Sequence, residues 1–179
     1  QSPPFLGQGL CAGIRDASSL AWRLAFVING KADDSLLDTY AIERKKHVLE
    51  FIELAVKCGE LINTGKKNLI TKYFNSNAKD NKRNFNYPKP QLGKGIWRSG
   101  DTPLGQITPQ FFINRKLMDD KAVYKFILVE NCRLQKSLNN KDNKIIEELE
   151  IITISANKEI IKWLSFINSK VALIRPDRY

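Results

Sequence analysis

The chain has 179 residues, 42% hydrophobic and 27% charged, which is the balance of a soluble globular protein long enough to bury a core of ordinary size. Lys and Arg number 29 against 19 Asp and Glu, a formal charge of +10, yet the lysines are scattered and no aromatics are interleaved with them as stacking platforms, which argues against a nucleic-acid module. No run of about 18 uncharged apolar residues and no basic-then-apolar leader occurs, so neither a membrane span nor a signal peptide is expected. Cys11, Cys58 and Cys132 lack CxxC or metal-ligating spacing and read as reduced thiols of a cytoplasmic protein.

In chain order, Pro3 and Pro4 fix backbone angles and remove N–H donors, while Gly7 and Gly9 allow close or left-handed backbone approach just before a helix begins. A helix N-terminus presents free N–H groups and partial positive charge, so an electron-rich or anionic ligand edge can sit there without a charged side chain. Ile14, Leu20, Leu24, Val27 and Ile28 fall near one face of this first helix, which is expected to be mostly buried, and Asn29-Gly30 is its stop signal. Asp33 and Asp34 open a second helix, expected to run about 28 residues on the apolar repeat Leu36, Leu37, Tyr40, His47, Val48, Phe51, Ile52 and Ala55.

From about Thr64 to Asp120 the chain is rich in Lys, Asn, Gly and Pro, with Tyr87-Pro88-Lys89-Pro90 as a break, and reads as an irregular connector with short strands. After it, Phe126–Val129, Lys144–Leu149, Ile151–Ile154, Lys158–Phe166 and Val171–Ile174 follow the order strand, helix, strand, helix, strand. That order reads as a small α/β unit. Trp22 and Tyr40 are read as packing aromatics. The lone His47, with Glu43 four residues before it and no second ligand cluster, is read as structural and not as a metal ligand.

The run Pro3-Pro4-Phe5-Leu6-Gly7-Gln8-Gly9-Leu10-Cys11-Ala12-Gly13-Ile14-Arg15-Asp16-Ala17 resembles the second flavin-binding motif of the class A FAD-dependent aromatic monooxygenases, most of all their 3-(3-hydroxyphenyl)propionate-hydroxylating branch. Leu20-Ala21-Trp22-Arg23-Leu24 and Leu36-Leu37-Asp38-Thr39-Tyr40 with Glu43-Arg44 resemble helices of that family, and Arg175-Pro176-Asp177 resembles its C-terminal strand end. The middle zone matches only through Leu92-Gly93 and Pro103-Leu104-Gly105-Gln106. Ser19 and Lys46 stand where the family usually has Asn and Pro.

The resemblance implies an α/β (α+β) chain of the para-hydroxybenzoate-hydroxylase fold. Residues 1–64 would be the C-terminal helical part of an FAD-binding domain, 65–120 a connector, and 121–179 a thioredoxin-like α/β domain. It implies FAD as cofactor, NADH or NADPH as reductant, and transfer of one oxygen atom from dioxygen to a small phenolic acid through a flavin hydroperoxide. Pro4 would lie beside the oxygen-reactive edge of the flavin ring as the catalytic-site residue. Pro3, Pro4, Gly7, Gln8, Gly9, Leu10 and Cys11 would be cofactor-binding, with Gly9, Leu10 and Cys11 offering backbone N–H groups to the pyrimidine carbonyl. Arg15 and Asp16 are read as structural.

The family's dinucleotide-binding Gly-x-Gly-x-x-Gly and its Gly-Asp-Ala-Ala-His segment are absent, so the 179 residues read as a C-terminal fragment, inactive alone. Readings kept beside this one are a non-catalytic remnant or interaction module built on the thioredoxin-like unit, and a polyketide or phenol hydroxylase of the same family. No nucleic acid, membrane or metal is expected as partner, and a homodimer is left open.

Overall fold

A computed structural model of the chain describes residues 7–64, 91–96, 104–131 and 138–179. Pro3, Pro4, Cys132 and the Tyr87–Pro90 break lie outside the described residues.

Helix α1 spans Gln8–Ile28 and ends where Asn29-Gly30 stops it: Gly30 takes φ 66 and donates its N–H to the Val27 carbonyl at 2.9 Å. Helix α2 spans Ser35–Thr64, 30 residues, and is opened by Asp33, whose Oδ1 accepts the Ser35 N–H at 2.9 Å. The two helices pack on each other.

The face that α1 turns inward differs from the expected one. Its buried side chains are Ser19, Trp22 and Arg23, whereas Ile14, Leu24 and Ile28 are exposed. Apolar periodicity marks a face that is fit for burial but does not say against what, and here α2 covers the neighbouring, mixed face.

After α2 the segment 91–96 lies across that helix, with the Gly93 N–H on the Glu43 carbonyl at 2.9 Å. Leu92 donates to the Gly105 carbonyl at 3.0 Å, so the two short middle-zone motifs meet. A two-residue-per-strand hairpin follows, β1 Phe112–Ile113 against β2 Lys116–Leu117, and runs into the single turn α3, Met118–Lys121.

The last zone is the α/β unit read from the sequence: β3 Ile127–Glu130, α4 Asn140–Glu148, β4 Ile152–Ser155, α5 Lys158–Phe166 and β5 Val171–Ile174. Strand order is β4-β3-β5, with β3 parallel to β4 and antiparallel to β5, pairing Val129 with both Ile154 and Ala172. Helix α4 starts earlier than its apolar residues suggest because Asn139 Oδ1 accepts the Asp142 N–H at 2.9 Å, a side-chain cap. Asn157 caps α5 in the same way, on the Ile160 N–H at 3.0 Å.

The alternation of β3 divides its two faces. Ile127 and Val129 are fully buried with Ile154, Ile160, Leu164, Ile174, Phe111, Met118 and Ala122 in one apolar core. Phe126, one residue before the strand, turns the other way and meets α1: its ring stands edge-on to Trp22 at 5.6 Å and to Phe26 at 5.7 Å between centroids. Each such aromatic pair contributes about 0.5–1.5 kcal/mol beyond area burial, so the α/β unit is fastened to the helices by rings. No helix among the described residues is long and apolar enough to cross a membrane.

Candidate functional site

Two arrangements carry polar groups that packing alone does not explain. The first is the N-terminus of α1. Gly7 precedes the helix in the left-handed conformation, φ 61, with no side-chain cap, and there is no acidic residue in the first turn. The donors left without an intrahelical acceptor in a helix of these bounds are the N–H groups of Gly7, Gln8, Gly9 and Leu10.

These groups are accessible. Gly7, Gly9, Leu10 and Cys11 are exposed and Gln8 is half-buried, and a Cβ built on Gly9 or Gly13 would have nothing within 4 Å. The first turn therefore offers uncapped N–H groups, partial positive charge and room for a planar group against the backbone. Cys11 differs from the sequence expectation in one respect: its N–H is the first that can reach an intrahelical carbonyl, that of Gly7, and its free thiol is exposed.

The second arrangement is a buried ion cluster further along the same helix. Arg23 comes from α1, Glu43 from α2, and Arg175 and Asp177 from the chain end after β5; Arg23 and Glu43 have no exposed surface. Glu43 Oε2 accepts from Arg23 Nη2 at 2.6 Å and from Arg175 Nη1 at 2.8 Å, and its Oε1 accepts the Ile96 N–H at 2.9 Å. Arg175 grips Asp177 with two bonds, Nε to Oδ1 at 2.9 Å and Nη2 to Oδ2 at 2.6 Å. Arg23 completes its set on Ser19, through the carbonyl at 2.7 Å and the hydroxyl at 2.6 Å, and on Thr39 Oγ1 at 3.0 Å.

Two guanidiniums and two carboxylates thus balance in charge away from water, and both guanidiniums stack over the Trp22 ring, at 4.7 and 5.4 Å from its centroid. Burial is the largest influence on Arg23, Arg175 and Asp177. It draws Arg23 below the ordinary guanidinium value despite Glu43. For Arg175 burial is outweighed by the hydrogen bonds and charges of Asp177 and Glu43, which raise it. Asp177, also opposed by burial, is held low by its bonds from Arg175 and by the nearby Trp22 and Ser19 donors. Trp22 Nε1 itself has no partner at full hydrogen-bond geometry.

A chain of contacts links this region back toward the first turns of α1. Asp16 Oδ1 accepts from Arg44 Nε at 2.7 Å, Arg44 Nη1 donates to the Tyr179 hydroxyl at 3.1 Å, and that hydroxyl lies 3.3 Å from His47 Nε2. The Tyr179 hydroxyl and His47 Nε2 are thus hydrogen-bond partners, with the direction set by the imidazole tautomer. Burial, then the charges of Arg44 and Arg15, push His47 down to about 4, so the ring is neutral.

His47 and Asp16 therefore stand in structural contacts, and Trp22 is packed at 2% exposure. The sequence did not reveal that Arg23, Glu43, Arg175 and Asp177 form one cluster. A signal was present: Arg23 sits beside Trp22, and Glu43, Arg44 and His47 interrupt an apolar face at helical spacing. Pro4, the residue expected beside the ring, and Pro3, expected to be cofactor-binding, fall outside the described residues.

Residues 1–55, covering α1 and most of α2, match the FAD binding domain family. A 3-(3-hydroxy-phenyl)propionate/3-hydroxycinnamic acid hydroxylase of Mycolicibacterium vanbaalenii is 49% identical over 67 residues, which is 37% of this chain and 12% of that protein. The enzyme of the same name from Escherichia coli strain K12 is 28% identical over 99% of this chain and 39% of its own length. Among solved structures, the rebeccamycin biosynthetic enzyme RebC with reduced flavin shares the fold of the whole chain at a TM-score of 0.64 and 18% identity, over 39% of that protein. The chain thus spans about two fifths of the length of the E. coli relative.

Proposed function

We propose that this chain belongs to the FAD-dependent aromatic monooxygenases, and that it forms the flavin-facing helix and the C-terminal α/β unit of an enzyme that hydroxylates a small phenolic acid of the 3-(3-hydroxyphenyl)propionate kind. The observation that carries the reading is the uncapped, exposed first turn of α1. The Gly9 and Leu10 N–H groups, with the helix dipole behind them, suit the electron-rich carbonyl edge of an isoalloxazine ring and the negative charge that a reduced ring bears.

Gly7, Gln8 and Gly9 let the backbone approach the ring, Leu10 and Cys11 wall it, and Pro3 and Pro4 would lie along it near the reactive edge. When bound, FAD supplies the redox chemistry, taking electrons from NADH or NADPH and passing one oxygen atom from dioxygen to the phenol. The residues of this chain orient the ring and stabilise its charge, and the ion cluster of Arg23, Glu43, Arg175 and Asp177 holds α1 in place behind it. The 179 residues alone, without a nucleotide cradle, are proposed to be inactive.

The native gene product carrying these residues tests the reading. It should purify with the visible spectrum of bound FAD, oxidise NADH or NADPH faster when 3-(3-hydroxyphenyl)propionate is added, and give a product heavier by one oxygen. In the same product, a Gly9→Val substitution should weaken FAD retention on the order of tenfold, about 1.4 kcal/mol. A colourless protein, or one whose flavin is indifferent to Gly9→Val, would overturn it.

A further inference from the structure

The two halves of α1 are held differently. Its buried side chains, Ser19, Trp22 and Arg23, all lie in the second half, where the ion cluster grips the helix. From Gln8 to Ser18 every residue is half-buried or exposed. Among the described residues, the ion pair that ties this first half to the rest of the chain runs from Asp16 Oδ1 to Arg44 Nε on α2, at 2.7 Å.

Arg44 is more deeply placed than a tie between helices requires. It is 3% exposed, whereas the side chain of its carboxylate partner is 35% open to water. Its Nη1 donates to the Tyr179 hydroxyl at 3.1 Å, and its Nη2 is buried with no hydrogen-bond partner among the described residues. Burial raises the Tyr179 phenol above its ordinary value, and His47 beside it is neutral, so neither of them answers the guanidinium charge. Asp16 does, and the phenol fixes the direction in which Arg44 reaches it.

This arrangement joins two distant parts. Asp16 stands two turns, about 10 Å, along α1 from Gly9. Tyr179 belongs to the segment that turns back after β5, its carbonyl accepting the Arg175 N–H at 2.9 Å. We propose that Arg44 and Tyr179 are positioning residues for the flavin. Tyr179 holds Arg44 on Asp16, and Arg44 fixes the first turns of α1 and cancels the Asp16 charge. The end of the α/β unit thereby sets how strongly the Gly9 and Leu10 N–H groups stabilise a reduced ring. A carboxylate about 10 Å from a ring that becomes negative on reduction opposes that reduction, and a buried cation paired with it removes the opposition. The proposal rests on the flavoenzyme reading and gives the α/β unit a part in it.

The test uses the native gene product carrying these residues, with its flavin bound, and reads the flavin reduction potential by absorbance against an indicator dye. Arg44→Met should lower the ratio of reduced to oxidised flavin at a fixed potential on the order of tenfold, about 30 mV for a two-electron couple. Adding Asp16→Asn to that variant removes both charges and should restore most of the loss. Tyr179→Phe keeps every charge but frees Arg44, and should shift the ratio in the same direction by a smaller factor. Arg44→Lys, which keeps the charge, should lie near the parent, as should Lys162→Glu on the exposed side of α5. In hydrogen exchange, amides 12–18 should lose protection in Arg44→Met and Tyr179→Phe while amides 20–28, held by the ion cluster, keep theirs. If Arg44→Met does not fold, Tyr179→Phe and Arg44→Lys decide the matter.

A potential unchanged in Tyr179→Phe and in Arg44→Met overturns the proposal and leaves the flavoenzyme reading standing. A loss in Arg44→Met that Asp16→Asn does not relieve overturns it too, because the effect then belongs to a general loosening of the fold. A parent protein that carries no flavin overturns the flavoenzyme reading and this proposal with it.

Discussion

Glu43 accepts from two guanidiniums and one backbone N–H at a point with no exposed surface. Glu43→Gln would leave Arg23, Arg175 and Asp177 with an unbalanced positive charge and no water to solvate it, so the expected loss is about 3–5 kcal/mol in urea unfolding. A loss below about 1 kcal/mol would mean that the cluster contributes no more than a surface pair. His47 adds a pH dependence of definite sign. Its folded value is about 4 against 6.5 ordinarily, so between those values the unfolded chain binds a proton that the folded chain does not. Stability is then full above the unfolded value and falls as pH drops through that window. From about pH 7 to about pH 5 the loss from this group should be about 2 kcal/mol, read from urea midpoints, and His47→Gln should remove that part of the slope. A variant with the parent's slope would assign the effect elsewhere.

At the level of elements, α2 is the strut on which the rest is mounted. It carries Glu43 and Arg44 side by side and His47 one turn on, and the strap 91–96 lies across it so closely that Gly93 has no room for a side chain. A Cβ there would meet the Ile42 carbonyl carbon at 3.1 Å and Glu43 Cα at 3.3 Å, with the Ile42 carbonyl oxygen nearer still. These are backbone atoms and cannot swing aside. Gly93→Ala should therefore lift the strap and break the bond from its N–H to the Glu43 carbonyl, at about 1–3 kcal/mol. In hydrogen exchange, amides 91–96 should lose protection while those of α5, in the separate apolar core, keep theirs. Uniform loss across both would show instead that strap and core unfold together. The α1 element is the opposite case, with one side fixed by ions and rings and the other bare.

In the whole molecule, the chain end is where the parts meet. Arg175 to Tyr179 turns back after β5, with the Arg175 N–H on the Tyr179 carbonyl at 2.9 Å, and places Arg175 on Glu43 and Tyr179 on Arg44 and His47. The α/β unit is thereby joined to both helices at a site built from residues more than a hundred positions apart. The joint is carried by α2, while the uncapped first turn and the bare face lie on α1.

What the residues alone determined was local: both helices, the stop at Asn29-Gly30, the order of the final strands and helices, and the Pro3–Asp16 run that carries the family resemblance. These follow from periodicity, capping and backbone chemistry over a few neighbouring positions, which a sequence displays directly. Only the tertiary structure decided which face of α1 is buried and that Arg23, Glu43, Arg175 and Asp177 are one cluster. Apolar spacing says that a face can be buried but not which neighbour buries it, and a buried charge is tolerable only beside a partner whose approach is fixed by the fold.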